Sequence, residues 1–315
     1  MVRVHFWGTP EWSQQLADSL SDIAECRFGE EVDPNTEVLA KGRPAEEEFA
    51  TLHALKAVVI PFAGIPVQTR ELLASRPHIK LYNLHHNSAD TAEMAVALYM
   101  AVAKQIVVRD RNLRTGMWSE GSFMRSGSGG SIRAAGKRAL VLGYGAIGRR
   151  IAKACDGMDM KVTAIRRNGP FDDRIRPLEE LDQLLPQTDA LFVALPLTTE
   201  TEGLMDGRRI ALLPETAIVS NIARGAIFDE SALYDALRSN RIGGAGIDVW
   251  WNYPKADEPC FPSNFPYHEL DNVVMTPHVG GASDATEDDR WRALADLIRG
   301  IEDGSAKPAS AELGY

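Results

Sequence analysis

The stretch Arg138-Ala-Leu-Val-Leu-Gly-Tyr-Gly-Ala-Ile-Gly148 decides how the rest of this chain is interpreted. Four apolar residues run into three glycines spaced GxGxxG, and apolar residues then recur at helical spacing from Arg149 to Met158. This strand, turn and helix predict that Gly143 makes a tight turn, Gly145 lets the backbone approach a pyrophosphate and Gly148 packs the helix on the strand. Because the N–H groups of the helix N-terminus then face the phosphates, we expect a dinucleotide site here.

Length and composition narrow the class of protein. The 315 residues suit two domains with a sizeable core, and 44% hydrophobic with 25% charged residues is ordinary globular composition. A net charge of −10 argues against a nucleic-acid partner. Cys26, Cys155 and Cys260 form no CxxC pair, so we predict neither a disulfide framework nor a metal site. Without a leader-like start or a run of 18 apolar residues, we expect a cytoplasmic protein with no membrane insertion.

Short apolar segments alternate with helical ones along the whole chain. Three segments precede the glycine turn, at 2–7, 57–60 and 81–84. Five follow it, at 161–165, 190–195, 217–222, 244–249 and 273–276. Strands that alternate with helices predict the α/β class, with parallel sheets covered by helices on both faces.

The segments between these strands also carry predictions. The pattern indicates helices at 11–20, 89–107, 229–239 and 283–303, and the last of these is expected to return to pack on the first domain. The acidic segment 30–48 is interpreted as a solvated surface. A polar and then Gly/Ser-rich excursion, 109–136, is expected to join the long helix to the glycine-turn strand.

Five motifs in one order suggest a family. They are Gly143-Tyr-Gly-Ala-Ile-Gly148, Leu195-Pro-Leu-Thr198 with Thr201, Asn221-Ile-Ala-Arg-Gly225, Gly246-Ile-Asp-Val249 and Thr276-Pro-His-Val-Gly280. Over roughly residues 57 to 300 the chain resembles the D-isomer-specific 2-hydroxyacid dehydrogenases. The resemblance implies a Rossmann-type doubly wound parallel sheet at 93–280 and a flavodoxin-like substrate domain built from both chain ends, 1–92 and 281–315. It also implies an active site in the cleft between them and a homodimer.

The chemistry of such a family explains two residues. Reduction of a 2-keto acid needs a cation that holds the carboxylate and polarises the carbonyl, a hydride donor, and an acid that protonates the alkoxide. Arg224 directly follows an apolar strand, and its guanidinium can grip a carboxylate in a planar fork. His278 lies in a strand-end loop, and histidine titrates near neutral pH. We therefore predict Arg224 as the substrate-binding and catalytic cation and His278 as the acid.

The resemblance extends to further site residues. It implies that the backbone of Ala63 and Gly64 holds the substrate carboxylate, and that Asn87 contacts the substrate as in the formate dehydrogenase branch, although an Asn in a turn needs no ligand. The predicted cofactor-binding residues are Gly143, Gly145, Ala146, Ile147, Gly148, Arg166, Arg167, Leu195, Pro196, Thr201, Ala223, Asp248, His278 and Gly280.

The chain departs from the family pattern next to the predicted acid. The family usually has a glutamate five residues after the aspartate, paired with the histidine, and the formate branch has a glutamine; here Tyr253 stands there. A carboxylate would raise the histidine pKa, whereas a neutral phenol can only form a hydrogen bond. We predict Tyr253 as a catalytic residue, unless another acid from 255–268, such as Glu258, reaches His278.

A second departure concerns the cofactor. An NAD-specific fold of this kind has an Asp or Glu at the end of the second strand, where it accepts hydrogen bonds from the ribose 2′-OH. Here Arg166 and Arg167 follow that strand, and two guanidiniums can bind a 2′-phosphate. The sequence therefore predicts NADP as the cofactor, with NAD possible.

Three functions remain open at this point. The favoured one is reduction of a small 2-keto acid of the glyoxylate or hydroxypyruvate kind. The second is formate-like oxidation of a small anion by direct hydride transfer, and the third is a nucleotide-sensing binding protein similar to corepressors of this fold. Arg224 and His278 favour an enzyme over a binding protein.

Overall fold

The computed structural model describes residues 1–118, 131–255 and 258–309. The chain divides into two compact units, Met1–Asn87 with Ala282–Tyr315, and Ser88–Gly281. The second unit therefore begins at Ser88 rather than at the predicted residue 93, because a continuous helix starts there. The final stretch of the first unit, from residue 310, and the part of the predicted 109–136 excursion from 119 to 130 lie outside the described residues.

The first unit is built on a five-stranded parallel sheet. Its strands are β1 (Val2–Trp7), β2 (Ala24–Gly29), β3 (Val38–Ala40), β4 (Ala57–Ile60) and β5 (Lys80–Asn83). The strand order is β2-β1-β3-β4-β5, which is the flavodoxin-like order. All pairs are parallel, with Val4 opposite both Cys26 and Val38, so the predicted α/β fold is confirmed for this unit.

Helices from both ends of the chain cover this sheet. They are α1 (Ser13–Leu20), α2 (Glu46–Thr51), α3 (Val67–Ala74) and the last helix, Thr286–Glu302. The last helix buries Leu294 and Ile298 in the same core cluster as Leu16 and Leu20 of α1. The prediction that it returns to the first domain is confirmed, since its apolar side finds its partner there.

The acidic segment 30–48 is the clearest error of the sequence interpretation. It contains β3, whose three residues are all buried between β1 and β4, and α2, which starts at Glu46. A strand of three residues is too short to show a period, and the charges on both sides dominate the local composition. β2 was missed as well, because its exposed residues interrupt the apolar pattern.

The second unit is built on a seven-stranded parallel sheet. Its strands are β6 (Arg138–Leu142), β7 (Lys161–Ile165), β8 (Ile175–Arg176), β9 (Ala190–Val193), β10 (Ile218–Asn221), β11 (Gly244–Ile247) and β12 (Val273–Met275). The order is β12-β11-β10-β9-β6-β7-β8. Successive strands are therefore added on one side of β6 as far as β8 and then on its other side from β9 onward. This is the doubly wound Rossmann arrangement, and such sheets bind ligands at the carboxyl edge beside this switch of sides.

Helices lie on both faces of this sheet. They are α4 (Ser88–Ala103), α5 (Ile106–Arg114), α6 (Ala146–Gly157), α7 (Leu181–Leu184), α8 (Gly207–Ile210) and α9 (Glu230–Arg238). The predicted single helix 89–107 is interrupted at Gln105, which has a left-handed backbone (φ 55°), and α5 continues at 60° to α4. Arg109 therefore lies in a helix and not in an irregular excursion. Within the described residues no single helix is long and apolar enough to cross a membrane, and α4 and α5 reach that limit only when counted together.

Candidate active site

The glycine turn has the geometry that its sequence predicts. Gly143 follows β6 with φ +97°, and a Cβ there would overlap the carbonyl of Ala194. A Cβ at Gly148 would overlap the carbonyl oxygen of Gly143, whereas one at Gly145 would meet no described atom within 4 Å. Gly145 is the N-cap of α6, and Ala146 and Ile147 open that helix. The turn thus presents the N-terminus of a 12-residue helix beside open space, which suits a phosphate group.

Three predicted site residues follow neighbouring strands of the same sheet. Arg224 comes three residues after β10, Asp248 directly after β11 and His278 three residues after β12. Because the strands are parallel, these residues all lie at the carboxyl edge of the sheet, where the glycine turn also lies. The fold therefore gathers them although more than fifty residues of sequence separate the first from the last.

Asp248 anchors the loop that carries His278. Its carboxylate is 1% exposed and accepts hydrogen bonds from the Thr276 hydroxyl (2.6 Å) and from the backbone N–H groups of Val279 (3.0 Å) and Gly280 (2.8 Å). These bonds hold the turn in which His278 has a left-handed backbone, φ +57°. Asp248 and Gly280 were predicted to bind the cofactor, and the structure shows a hydrogen bond between the Asp248 carboxylate and the Gly280 N–H.

Tyr253 contacts the predicted acid directly. Its hydroxyl lies 2.8 Å from Nδ1 of His278, and it also accepts the backbone N–H of Trp250 at 3.1 Å. Tyr253 therefore occupies the position where the family has a carboxylate partner. Glu258, the alternative acid, is exposed and is not a hydrogen-bond partner of His278 among the residues described.

The electrostatic surroundings of His278 favour a neutral imidazole. Desolvation lowers the pKa of His278 below the usual histidine value, and the positive charge of Arg224 lowers it further. The carboxylate of Asp248 opposes both effects and raises the pKa. The net direction of the pKa of His278 is downward, toward the neutral ring.

The loop that holds Arg224 is shaped by Asn221. The Asn221 amide accepts the N–H of Ala223 (3.1 Å) and donates to the carbonyl of Arg224 (3.0 Å). The Arg224 guanidinium donates to the Ala223 carbonyl at 2.5 Å. Gly225 must lack a side chain because the backbone of Trp250 lies 2.6 Å from where its Cβ would be. No role was predicted for Asn221, although an amide at a strand end is a loop-forming signal.

The remaining predicted cofactor residues differ in exposure. Arg166 is half-buried at the end of β7, and Arg167 is exposed and forms an ion pair with Glu200 at 3.1 Å. Thr201 is buried, and its hydroxyl donates to the carbonyl of Pro196 at 2.6 Å, in the loop that starts at the half-buried Leu195. The Thr201 side chain thus forms a hydrogen bond within the loop to which it belongs.

The residues predicted to bind the substrate through their backbone, Ala63 and Gly64, lie in the first unit. Ala63 and Gly64 are half-buried in the loop after β4, where the Ala63 carbonyl accepts a hydrogen bond from the Asn83 amide at 2.6 Å. Asn87 is half-buried at the end of the first segment of the same unit.

In the second unit Trp250 is buried in the core, and its indole N–H donates to the Thr276 carbonyl at 2.8 Å. Its place directly after the motif 246–249 is the signal that could have revealed it. In the described part of the chain, no group of three or more His, Cys, Asp or Glu side chains is placed to hold a metal.

Comparison with known proteins agrees with this geometry. The family model of the D-isomer specific 2-hydroxyacid dehydrogenase NAD-binding domain matches residues 96–280. Glyoxylate reductase of Pyrococcus horikoshii is 34% identical over 225 residues, which are 69% of this chain and 64% of that protein. D-3-phosphoglycerate dehydrogenase of Archaeoglobus fulgidus is 37% identical over 203 residues, 62% of this chain and 36% of that protein.

A solved structure matches over the full length. The D-isomer specific 2-hydroxyacid dehydrogenase of Xanthobacter autotrophicus Py2, in complex with NADPH and MES, has 26% identity and a TM-score of 0.79, and the match covers 100% of this chain and 99% of that one. The chain belongs to the D-isomer specific 2-hydroxyacid dehydrogenase family, and residues 96–280 are its NAD-binding domain. The matches to the two curated relatives named above span between about a third and two-thirds of those proteins' length.

Proposed function

We propose that this protein reduces a small 2-keto acid, of the glyoxylate or hydroxypyruvate kind, with NADPH. The observation that carries the proposal is that Arg224 and His278 both follow strands at the carboxyl edge of the sheet where the glycine turn also lies, with the charge of Arg224 lowering the pKa of His278. A guanidinium and an imidazole together supply the cation and the acid that the reaction needs. The glyoxylate reductases among the relatives support this substrate class, and the phosphoglycerate dehydrogenases widen it.

In the proposed reaction each residue has one task. Arg224 binds the substrate carboxylate and polarises the adjacent carbonyl. NADPH would be held at the glycine turn 143–148 and by Arg166 and Arg167, and when bound there it would supply the hydride to the carbonyl carbon. Protonated His278 gives its Nε2 proton to the oxygen, so that the 2-hydroxy acid leaves and the ring becomes neutral. The contacts of Ala63, Gly64 and Asn87 with substrate stay predictions.

The substrate class is tested by following the absorbance of NADPH after the protein, at fixed concentration, is mixed with each candidate acid. We expect loss of NADPH with glyoxylate, hydroxypyruvate or pyruvate, and no reduction of NADP⁺ with formate. Arg224→Lys keeps the charge but removes the fork, so it should raise KM for the keto acid about tenfold or more. Turnover of formate would support the formate-like alternative instead, and nucleotide binding without turnover of any acid would support the binding-protein alternative.

We also propose that NADP(H) is preferred over NAD(H). Arg166 and Arg167 directly follow β7, and no carboxylate stands in Arg166-Arg-Asn168 to repel a 2′-phosphate. Replacing both arginines with serine should raise KM for NADPH about tenfold or more and leave KM for NADH unchanged. Arg208→Ser, at an exposed arginine paired with Asp182, is the matched control. A higher kcat/KM of the wild type with NADH would refute the preference.

Homodimer formation is a further proposal, supported by the surface of α5. All nine residues of this helix are described and none is buried, and Ile106, Val107 and Leu113 are each about half exposed. Exposed apolar side chains grouped on one helix are typical of a protein interface. Analytical ultracentrifugation of the wild type beside Val107→Glu tests it, since a dimer through α5 should dissociate in the variant and a monomeric wild type would contradict the proposal.

A further inference from the structure

The hydroxyl of Tyr253 lies between a fixed donor and the nitrogen of His278. The backbone N–H of Trp250 can only donate, so the Tyr253 oxygen accepts there, at 3.1 Å. The same oxygen lies 2.8 Å from Nδ1 of His278. The direction of this second hydrogen bond determines which nitrogen of the neutral imidazole carries the proton.

Two arrangements of the neutral ring are possible. If the proton is on Nδ1, the Tyr253 oxygen accepts two N–H groups and its own proton must point elsewhere. If it is on Nε2, the oxygen accepts one N–H from Trp250 and donates its own proton to Nδ1. The second arrangement is stronger, because a phenol is a more acidic donor than a neutral imidazole. It also uses each donor and acceptor once.

Trp250 holds both sides of this pair. Its backbone N–H binds Tyr253, and its indole N–H donates to the carbonyl of Thr276, two residues before His278. The Trp250 side chain is 6% exposed and packs edge-on against the buried Tyr267. The donor that orients the phenol is therefore anchored in the core, together with the start of the histidine loop.

We propose that Tyr253 is a positioning residue that holds neutral His278 as its Nε2–H tautomer. This inference rests on the proposed function. An Nε2–H group can donate a hydrogen bond to the carbonyl oxygen of a 2-keto acid, whereas it cannot accept the hydroxyl proton of a 2-hydroxy acid. The neutral enzyme therefore binds the substrate of reduction better than the substrate of oxidation. When the ring becomes protonated, Nδ1–H donates to the Tyr253 oxygen and the phenol proton turns to solvent, which is accessible because Tyr253 is 46% exposed.

Nitrogen NMR of the ligand-free protein tests the tautomer without any substrate. The chain has seven histidines, so His278→Asn identifies the signals of His278 in ¹⁵N-histidine-labelled protein. Above the titration of His278 we expect an unprotonated Nδ1 and a protonated Nε2. Tyr253→Glu, which offers only an acceptor, should reverse the assignment and raise the pKa of His278. Tyr253→Phe, which keeps the ring and loses the donor, should give averaged shifts of the two tautomers.

Kinetics provide the second readout. Relative to the wild type, Tyr253→Glu should lower KM for the 2-hydroxy acid in oxidation about three- to tenfold, the effect of one hydrogen bond, and should extend reduction to higher pH. A purely structural role would leave the ratio of the two KM values unchanged. A protonated Nδ1 in the wild type, or equal spectra of wild type and Tyr253→Phe, would overturn the inference. Absence of keto-acid turnover would refute the proposed function and leave the NMR result standing.

Discussion

The glycine turn (143–148) and the histidine loop (276–280) both leave strands of the same sheet at its carboxyl edge, but they are held in different ways. Each contains a residue with positive φ, Gly143 at +97° and His278 at +57°. At Gly143 the backbone of Ala194 leaves no room for a side chain. At His278 the side chain is exposed, and the carboxylate of Asp248 fixes the backbone by binding the two N–H groups that follow.

The difference separates two kinds of functional element. The glycine turn works through its backbone, so any side chain at its crowded positions costs stability. The histidine loop works through one side chain, and its conformation is imposed by a residue 30 positions earlier in the sequence. Substitutions at the crowded glycines, Gly143 and Gly148, should therefore change folding and binding together, whereas a substitution at His278 should change chemistry alone.

The largest expected effect is on chemistry, in His278→Asn. Asparagine tolerates a left-handed backbone, so the loop should keep its shape, but it has no proton to give. We expect kcat for keto-acid reduction to fall about 10²- to 10⁴-fold. The free energy of unfolding, measured in urea, should change by less than about 1 kcal/mol. A large loss of stability would show that the loop depends on its histidine and would remove the contrast with the turn.

The next effect is on stability, in Gly148→Ala. The added methyl would overlap the carbonyl oxygen of Gly143, so α6 must move away from β6. Overpacking of this kind costs about 1–3 kcal/mol or more, which exceeds the roughly 1 kcal/mol that alanine gains over glycine in a helix. Urea unfolding measures the loss.

Gly145→Ala is the matched control for Gly148→Ala. Its added methyl meets no described atom within 4 Å, so the free energy of unfolding should stay within about 0.5 kcal/mol of the wild-type value. The methyl would occupy the space beside the helix N-terminus, so the affinity for NADPH, followed by nucleotide fluorescence, should still fall. Equal stability losses in the two variants would contradict the steric account of the turn.

The last expected effect is a shift of the pH profile, in Asp248→Asn, which weakens the hydrogen bonds that hold the histidine loop. The neutral amide can accept from one N–H of the loop and leaves the other without its partner, at a cost of about 1–3 kcal/mol. Asp248 raises the pKa of His278, so its loss lowers that pKa further. Because the protonated ring is the acid, reduction is lost as pH rises through this pKa, and the falling part of the pH–kcat profile should move to lower pH. A move to higher pH would show that Asp248 does not act on His278 as inferred.

Much of the architecture was predictable because buried parallel strands are largely apolar. The segments 57–60 and 161–165 are strands with the predicted bounds, and α6 begins at Ala146, three residues before the predicted helical spacing from Arg149. β3 was not predictable, since three residues between charged neighbours carry no period. The break between α4 and α5 escaped prediction for a related reason: Gln105 adopts a left-handed backbone without the glycine that usually signals one.

The site residues show the same distinction between features with a local sequence signal and features without one. The sequence by itself determined the glycine turn, because three glycines at this spacing between an apolar strand and a helix are a local signal that can be recognised without knowing what packs against them. It also predicted Arg224 and His278 as site residues, from the loops in which they stand. Only the tertiary structure decided that Asp248 binds the histidine loop, that Tyr253 faces Nδ1 of His278 and that Trp250 orients them both. The physical reason is that these partners come from separate strand ends, and hydrogen bonds between such residues exist only after the sheet has brought its carboxyl edge together.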